Sequence, residues 1–168
     1  MARIAFIVDD LFEDVEFLEP YAKVKEAGHD PVVVGMSAGK EITCKKGAKA
    51  TVDKGSDEVS SGEFDAIVIP GGYSPDKVRT DERLVALTRE AHDAGKPVAA
   101  ICHAPWVLAE ADLLRGRTVT SYHSLRTDLV NAGATWVDKE VVEDGALITS
   151  RNPGDLPAFT DALLRRLG

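Results

Sequence analysis

The sequence has little of what would place the protein in a membrane, in an oxidising compartment or on a nucleic acid. No run approaches the roughly 18 consecutive apolar residues of a membrane-spanning helix. The only two cysteines, Cys44 and Cys102, are too few for a disulfide framework, so we expect free thiols in a reducing, cytoplasmic environment. A formal net charge of -8 argues against a surface built mainly to bind phosphate, and nucleic acid is therefore not an expected partner.

Signals for a cofactor or a leader segment are also missing. No Gly-rich phosphate loop follows the first apolar segment, which argues against nucleotide binding. The spacing of the histidines and cysteines does not resemble a closed zinc site, so we expect neither a metal nor a cofactor. The apolar start at residues 1–8 runs directly into Asp9 and Asp10 without a cleavage site, and it predicts a first strand rather than a signal peptide.

The composition is that of a folded domain: 44% of the 168 residues are hydrophobic and 29% are charged, which predicts one domain over residues 1–168. Apolar strands alternate with helical patterns, which predicts an α/β fold with a mostly parallel sheet between two helical layers. The predicted strands are 3–8, 31–34, 66–69, 97–101 and 118–121, with hairpins within 40–53 and 135–149. The predicted helices are 14–27, 81–94, 103–111, 125–131 and 156–167.

Cys102 is the most informative residue, because it lies between a predicted buried strand and a predicted helix. A thiol at such a turn is close to the unpaired N–H groups and the positive end of the helix, which favours the reactive thiolate. The segment resembles the nucleophile elbow of hydrolases, with cysteine in place of serine. Cys44, in a polar hairpin, is interpreted as a structural residue.

Three loops follow strand ends that should meet at one edge of the sheet, where ligands bind in folds of this class. They are residues 9–14, residues 70–75 and the turn at Cys102. Gly71 and Gly72 allow the backbone of the second loop to approach a ligand. Their N–H groups, with the one that follows Cys102, are candidates for an oxyanion hole.

Candidate proton-transfer groups lie in and around these loops. His103 could deprotonate Cys102, provided that the turn rotates the ring back, because adjacent side chains on a helix diverge. His123 could reach the same edge, whereas Asp76 is interpreted as an exposed acid in a surface loop.

The acidic residues after the first strand include a possible hydrogen-bond donor to the thiol. Glu13, Asp14 and Glu16 suit a solvated helix start, but one of these carboxyls could also face the thiol. A negative charge nearby would raise the pKa of that carboxyl, so that it would stay protonated and donate a hydrogen bond to sulfur.

A series of short motifs runs through the chain in a fixed order. The protein resembles the ThiJ/PfpI superfamily, specifically its PfpI-type branch of intracellular proteases and general stress proteins. The matching motifs are residues 12–16, 70–72, 101–105, 114–117 with 120–122, 131–138 and 150–157.

The resemblance implies a flavodoxin-like sandwich with Cys102 as the nucleophile and Glu13 as the protonated partner of its thiol. If the protein is a protease, the resemblance implies that His103 is completed by an acid from a neighbouring subunit of a dimer or hexamer. Asp76 holds that acid's position, where the family pattern has glutamate. The chain also departs from the pattern at Ala104, where glycine is common, and at His123, where proline is expected.

Proteins of this kind are described as intracellular cysteine peptidases, or as glyoxalases and deglycases that act on methylglyoxal and glyoxal adducts. We expect the small-carbonyl or deglycase activity and a role in stress protection, with a small dicarbonyl or a glycated protein or peptide as substrate. The alternative is a redox-sensing stress protein or chaperone that uses oxidation of Cys102 without catalysis. A glutamine amidotransferase is disfavoured, because no His-x-Glu pair follows the elbow.

Overall fold

The computed structural model describes all residues 1–168, which form eleven strands and six α-helices. The strands are β1 (Arg3–Ile7), β2 (Asp30–Gly35), β3 (Glu41–Thr43), β4 (Lys49–Thr51), β5 (Lys54–Gly55), β6 (Ala66–Ile69), β7 (Val98–Ile101), β8 (Thr118–Val119), β9 (Thr135–Trp136), β10 (Val142–Asp144) and β11 (Leu147–Ser150). The helices are α1 (Asp14–Glu26), α2 (Ser74–Val78), α3 (Glu82–Asp93), α4 (Pro105–Glu110), α5 (Arg126–Asn131) and α6 (Leu156–Leu167).

Seven strands form a central sheet in the order β10-β11-β7-β6-β1-β2-β5. All neighbours are parallel except β10 and β11, which form an antiparallel hairpin at one edge. Consecutive residues of a strand face opposite sides of a sheet. Ile4 and Phe6 of β1 accordingly join a core beneath α1 and α6, while Ala5 and Ile7 join a second core beneath α3, α4 and α5. The predicted flavodoxin-like three-layer sandwich is confirmed.

The main differences from the predicted elements are in the short segments. The predicted hairpin within 40–53 exists as β3 and β4, which form a two-stranded sheet of their own, separate from the central sheet. The predicted strand 118–121 is reduced to β8, which pairs with β9 outside the central sheet. Residues 135–149 do contain the predicted hairpin, as β10 and β11, although their first two residues belong to β9.

Two corrections concern the site itself. The predicted loop around Asp76 contains the short helix α2, which has Pro75 at its start, where the missing proline N–H costs nothing. The predicted helix 103–111 begins only at Pro105, because His103 and Ala104 belong to the turn that leaves β7. No helix of the structure is both long and apolar enough to cross a membrane.

Candidate active site

The turn after β7 has the backbone of a nucleophile elbow. Cys102 has φ = 65°, in the left-handed region that residues other than glycine rarely adopt. The strained residue is fixed on both sides: its N–H donates to the carbonyl of Ser150 at 3.0 Å, and its carbonyl accepts the N–H of Tyr122 at 2.9 Å. Such strain persists only where surrounding contacts hold it, and it is typical of functional sites.

A pocket of about 290 Å³ opens at this turn. It lies where the carboxyl ends of β1, β6 and β7 converge, so the predicted meeting of three loops is confirmed. Sequence reasoning missed Lys45, Tyr122 and Pro153 as lining residues, although the last two lie in motifs of the family resemblance. The complete lining is Glu13, Glu16, Lys45, Gly72, Tyr73, Cys102, His103, Tyr122 and Pro153.

The imidazole of His103 is turned back toward the thiol. Its Nδ1 lies 3.2 Å from Sγ of Cys102, and its Nε2 lies 3.5 Å from Oγ of Ser124. The ring stacks on Tyr122 with centroids 4.9 Å apart and meets Trp106 edge-on at 5.1 Å, so aromatic contacts fix its orientation. Burial lowers the pKa of His103, and the charge of Lys45 adds to this effect. The imidazole is therefore neutral at pH 7 and able to accept a proton.

The carboxyl that faces the thiol is Glu16, which corrects the expectation that Glu13 has this position. Glu16 is completely buried, and its Oε1 accepts the N–H of Gly71 at 2.9 Å while Oε2 has no partner. Burial, with the charge of Glu13, raises its pKa to about 8, although the hydrogen bond from Gly71 acts in the opposite direction. Glu16 is therefore mostly protonated at neutral pH and can donate a hydrogen bond.

Glu13 lies at the rim of the pocket instead. It is the N-cap residue of α1, ahead of the first helical turn, and its side chain extends toward the β3–β4 hairpin. Its carboxylate oxygens lie 3.5 Å from Nζ of Lys45 and 3.7 Å from Nζ of Lys46. Glu16, inside the first turn, points toward the sheet, and this difference of direction separates the two carboxyls.

The resting thiol also differs from expectation. Burial and the charge of Glu16 raise the pKa of Cys102 to about 12, although the N–H groups of Gly72 and His103 favour the thiolate. The expected helix contributes little, because α4 has only six residues and begins three positions after the cysteine. Cys102 is therefore a buried thiol beside a neutral base at pH 7, rather than a preformed thiolate.

The two glycines of the second loop have different roles. The N–H of Gly71 is engaged by Glu16 and is not free for a ligand. Gly72 has φ = 82°, and a Cβ at this position would lie 2.5 Å from the carbonyl oxygen of Leu11. Only glycine fits there, and its N–H faces the sulfur together with that of His103. The oxyanion-hole prediction thus applies to Gly72 and His103, and Gly71 is instead a contact of the buried carboxyl.

Two predicted site residues lie outside the pocket. Asp76 is exposed on α2, and no contact joins it to His103 within the chain. His123 is exposed and packs against Tyr122, with ring centroids 4.4 Å apart, but it does not line the cavity.

The second cysteine has a purely structural environment. Cys44 is buried, and its thiol donates a hydrogen bond to the carboxylate of Asp14. Burial and this hydrogen bond raise the pKa of Cys44. No histidine lies beside it and it lines no pocket at the strand ends, which agrees with its interpretation as structural.

The DJ-1/PfpI family model matches residues 2–166. The chain is 48% identical over 168 residues to protein/nucleic acid deglycase 2 of Escherichia coli (strain K12), covering 99% of this chain and 98% of that protein. It is 46% identical over 165 residues to the putative cysteine protease YraA of Bacillus subtilis, covering 98% of both. It is also 48% identical over 159 residues to general stress protein 18 of the same species, covering 94% of this chain and 92% of that protein.

A solved structure agrees with these sequence matches. The whole chain superposes with a TM-score of 0.98 and 44% identity on a two-domain protein from Anabaena variabilis with DJ-1/ThiJ/PfpI-like and ferritin-like domains, spanning 48% of that longer chain. The protein therefore belongs to the DJ-1/PfpI family, whose members include proteins named as deglycases.

Proposed function

We propose that this protein is a cysteine-dependent enzyme that acts on small electrophilic carbonyls, with a glyoxalase or deglycase activity. The observation that carries the proposal is the 3.2 Å contact between Sγ of Cys102 and Nδ1 of a neutral His103 inside a pocket. A nucleophile and a base within hydrogen-bond reach are the minimum for activating a thiol that holds its proton at rest. The deglycase name of a relative that matches the full chain supports the same reaction class.

The first chemical step follows from these contacts. His103 accepts the thiol proton as Sγ of Cys102 adds to the carbonyl carbon, and the electron pair of the carbonyl moves to its oxygen. The N–H groups of Gly72 and His103, which face the sulfur, are suited to hold the resulting oxyanion. The protonated carboxyl of Glu16 can donate a hydrogen bond in the same space. His103 then returns the proton to the oxyanion, and the product is a hemithioacetal.

For methylglyoxal, the next steps need only a proton shuttle and water. Transfer of a proton from the hemithioacetal carbon to its neighbour, through an enediol, produces a lactoyl thioester. Hydrolysis of the thioester releases lactate and returns the thiol, so that the overall reaction adds one water and needs no external oxidant. His103 is the candidate for the base, and Glu16 for the acid.

A small carbonyl suits the site better than a peptide. The cavity of about 290 Å³ holds a compound of a few heavy atoms. Peptide hydrolysis also needs a well-oriented imidazole that protonates a leaving amine. Within the chain, Nε2 of His103 meets only the hydroxyl of Ser124, at 3.5 Å, and no carboxylate.

The test is incubation of the purified protein with methylglyoxal while lactate is measured. We expect lactate to accumulate with the wild-type protein and to fall by about a thousandfold with Cys102→Ser, as is typical when a catalytic nucleophile is removed. Equal rates from the two proteins would show that the thiol is not the nucleophile.

Assembly and cellular role belong to the same proposal. The exposed carboxylate of Asp76 on α2 is available to a second copy, and we propose a dimer or hexamer in which it approaches His103 of a neighbour. A cytoplasmic role in stress protection is supported by the relative named general stress protein 18. Sedimentation of wild-type and Asp76→Asn proteins tests the assembly; a wild-type monomer would exclude it.

The redox-sensor alternative is less well supported, because the thiol is buried and protonated at rest.

A further inference from the structure

Lys45 places a fixed positive charge in the pocket of Cys102. It lies between β3 and β4, and it is the only lining residue with a positive charge at neutral pH, since His103 is neutral. Its Nζ is 3.5 Å from a carboxylate oxygen of Glu13 and 5.5 Å from the ring centroid of Tyr73. These two contacts come from different loops, and they hold the ammonium at the pocket while 41% of the side chain stays exposed.

The charge of Lys45 is not fully neutralised by its partner. Glu13 is shared, because its other carboxylate oxygen is 3.7 Å from Nζ of Lys46. Two ammonium groups and one carboxylate leave this cluster with one net positive charge, in a chain whose net charge is -8. Lys45 therefore faces the pocket with a charge that the shared carboxylate of Glu13 neutralises only in part.

The second acid of the pocket does not cancel this charge. Glu16 is mostly protonated at neutral pH, because burial raises its pKa to about 8. The charge of Lys45 is close enough to lower the pKa values of both Glu16 and His103. An anion held by Lys45 would thus lie close to the groups that surround the thiol.

We propose that Lys45 is a specificity-determining residue that binds a carboxylate adjacent to the carbon attacked by Cys102. The thiol should then add preferentially to small aldehydes and ketones whose carbonyl carries a neighbouring carboxylate, the 2-oxo acids. This inference rests on the proposed function, because it assigns a ligand class to the same nucleophile. In the addition step a sulfur–carbon bond forms, the carbonyl electron pair moves to oxygen, and the thiol proton reaches that oxygen through His103; nothing is oxidised or released.

Two alkylating agents of nearly equal size test the charge directly. Iodoacetate carries a carboxylate beside its reactive carbon, and iodoacetamide carries a neutral amide at the same position. With either agent, Sγ of Cys102 bonds to carbon, iodide leaves with the bonding pair, and the thiol proton passes to His103. The quantity measured is the ratio of the two second-order rates at Cys102, followed by mass spectrometry.

Four variants test whether the ratio of the two rates depends on the charge of Lys45. We expect Lys45→Gln to lower the iodoacetate-to-iodoacetamide ratio by about 5- to 10-fold, as expected for loss of one nearby charge in a partly exposed site. Lys45→Arg should keep the wild-type ratio, and Glu13→Gln should raise it by freeing the ammonium. Lys49→Gln is the matched control, because Lys49 pairs with Glu41 in the β3–β4 hairpin outside the pocket.

The outcomes separate this inference from the proposed function. An equal ratio for Lys45→Gln and Lys49→Gln, with Cys102 still reactive, would overturn the anion site and leave the nucleophile intact. A Cys102 that reacts with neither agent would overturn both proposals. Glyoxylate should also slow iodoacetamide labelling of the wild-type protein several-fold more than that of Lys45→Gln, and equal protection would count against the anion site.

Discussion

The chain contains two buried thiol–carboxyl pairs whose acids are only two residues apart, and their chemistry differs. Asp14 accepts hydrogen bonds from the thiol of Cys44 and from the backbone N–H of Lys46. Although burial alone would raise the pKa of Asp14, these hydrogen bonds lower it, and the acid is ionised. Glu16, which faces Cys102, has one N–H donor and an unpartnered oxygen, and it stays protonated.

The comparison shows that burial beside an acid does not make a thiol reactive. Both thiols have raised pKa values, so neither is a thiolate at rest. What Cys102 has in addition is a neutral imidazole at 3.2 Å, N–H donors aimed at the sulfur, and a pocket for a substrate. The difference between a structural and a reactive cysteine thus lies in the base and the space around it.

Removing the base should make Cys102 resemble Cys44, and among changes to the groups around the thiol we expect the largest loss of activity from this one. His103→Asn keeps a polar group near the position of Nδ1 but cannot accept the thiol proton. We expect kcat for methylglyoxal to fall by about a hundredfold or more, the usual contribution of a general base. Steady-state lactate assays would measure this, and a change of less than threefold would remove His103 from the mechanism.

Adding a methyl group at Gly71 should disturb the acid and the thiol together. A Cβ there would lie 2.5 Å from Oε1 of Glu16 and 2.7 Å from Cβ of Cys102. We expect Gly71→Ala to lower the free energy of unfolding by about 1–3 kcal/mol, as is typical of overpacking, and to reduce activity by roughly tenfold. Chemical denaturation and the lactate assay measure the two effects. Gly62→Ala serves as the control, because Gly62 has no positive φ and a Cβ there would meet no atom within 4 Å. A fully stable and active Gly71→Ala protein would contradict the described packing.

The protonation of Glu16 should affect the pH dependence of the enzymatic rate. Activity requires a neutral His103, whose pKa is lowered, and a protonated Glu16, whose pKa is about 8. The wild-type rate should therefore fall as pH drops through the lowered pKa of His103 and again as pH rises through about 8. Glu16→Gln should lose the alkaline decline and keep the acidic one. A decline near pH 8 that persists in Glu16→Gln would assign it to another group.

Glu16 also makes the stability of the folded protein depend on pH. The folded pKa of Glu16 is about 8, against a usual value of 4.5, so the folded protein binds this proton more tightly than the unfolded chain. The contribution of Glu16 to the free energy of unfolding is fully present below pH 4.5. It is lost as the pH rises to about 8, by at most about 1.4 kcal/mol per pH unit. Urea denaturation at pH 5 and pH 8 should show a smaller difference for Glu16→Gln than for wild type.

The smallest effect is expected at the other thiol. Cys44→Ser keeps a donor for the carboxylate of Asp14, and Cys44 is outside the pocket of Cys102. We expect lactate formation to change by less than about twofold, within the range of a substitution away from the reacting groups. A loss of activity comparable to that of Cys102→Ser would show that the two pairs are functionally linked.

Much of the fold is predictable because buried parallel strands have a strong apolar signature. The predicted strands that correspond to β1, β2, β6, β7 and β11 and the predicted long helices α1, α3 and α6 agree with the structure to within a few residues. The short elements do not, since two or three residues carry too little pattern. The helix α2 lies where the sequence predicts a loop, and β8 is shorter than the predicted strand. The pairing of β8 with β9 depends on chain geometry rather than on composition.

The sequence by itself determined the α/β sandwich, the elbow at Cys102 and the edge of the sheet at which the loops meet, because apolar strand patterns and turn chemistry are local signals. Only the tertiary structure decided which acid faces the thiol. Glu13 and Glu16 are alike in sequence, but their positions at the start of α1 send one toward two lysines and bury the other against Gly71. The protonation states of the thiol, the imidazole and the carboxyl follow from that burial, and burial is a property of packing that no short motif encodes.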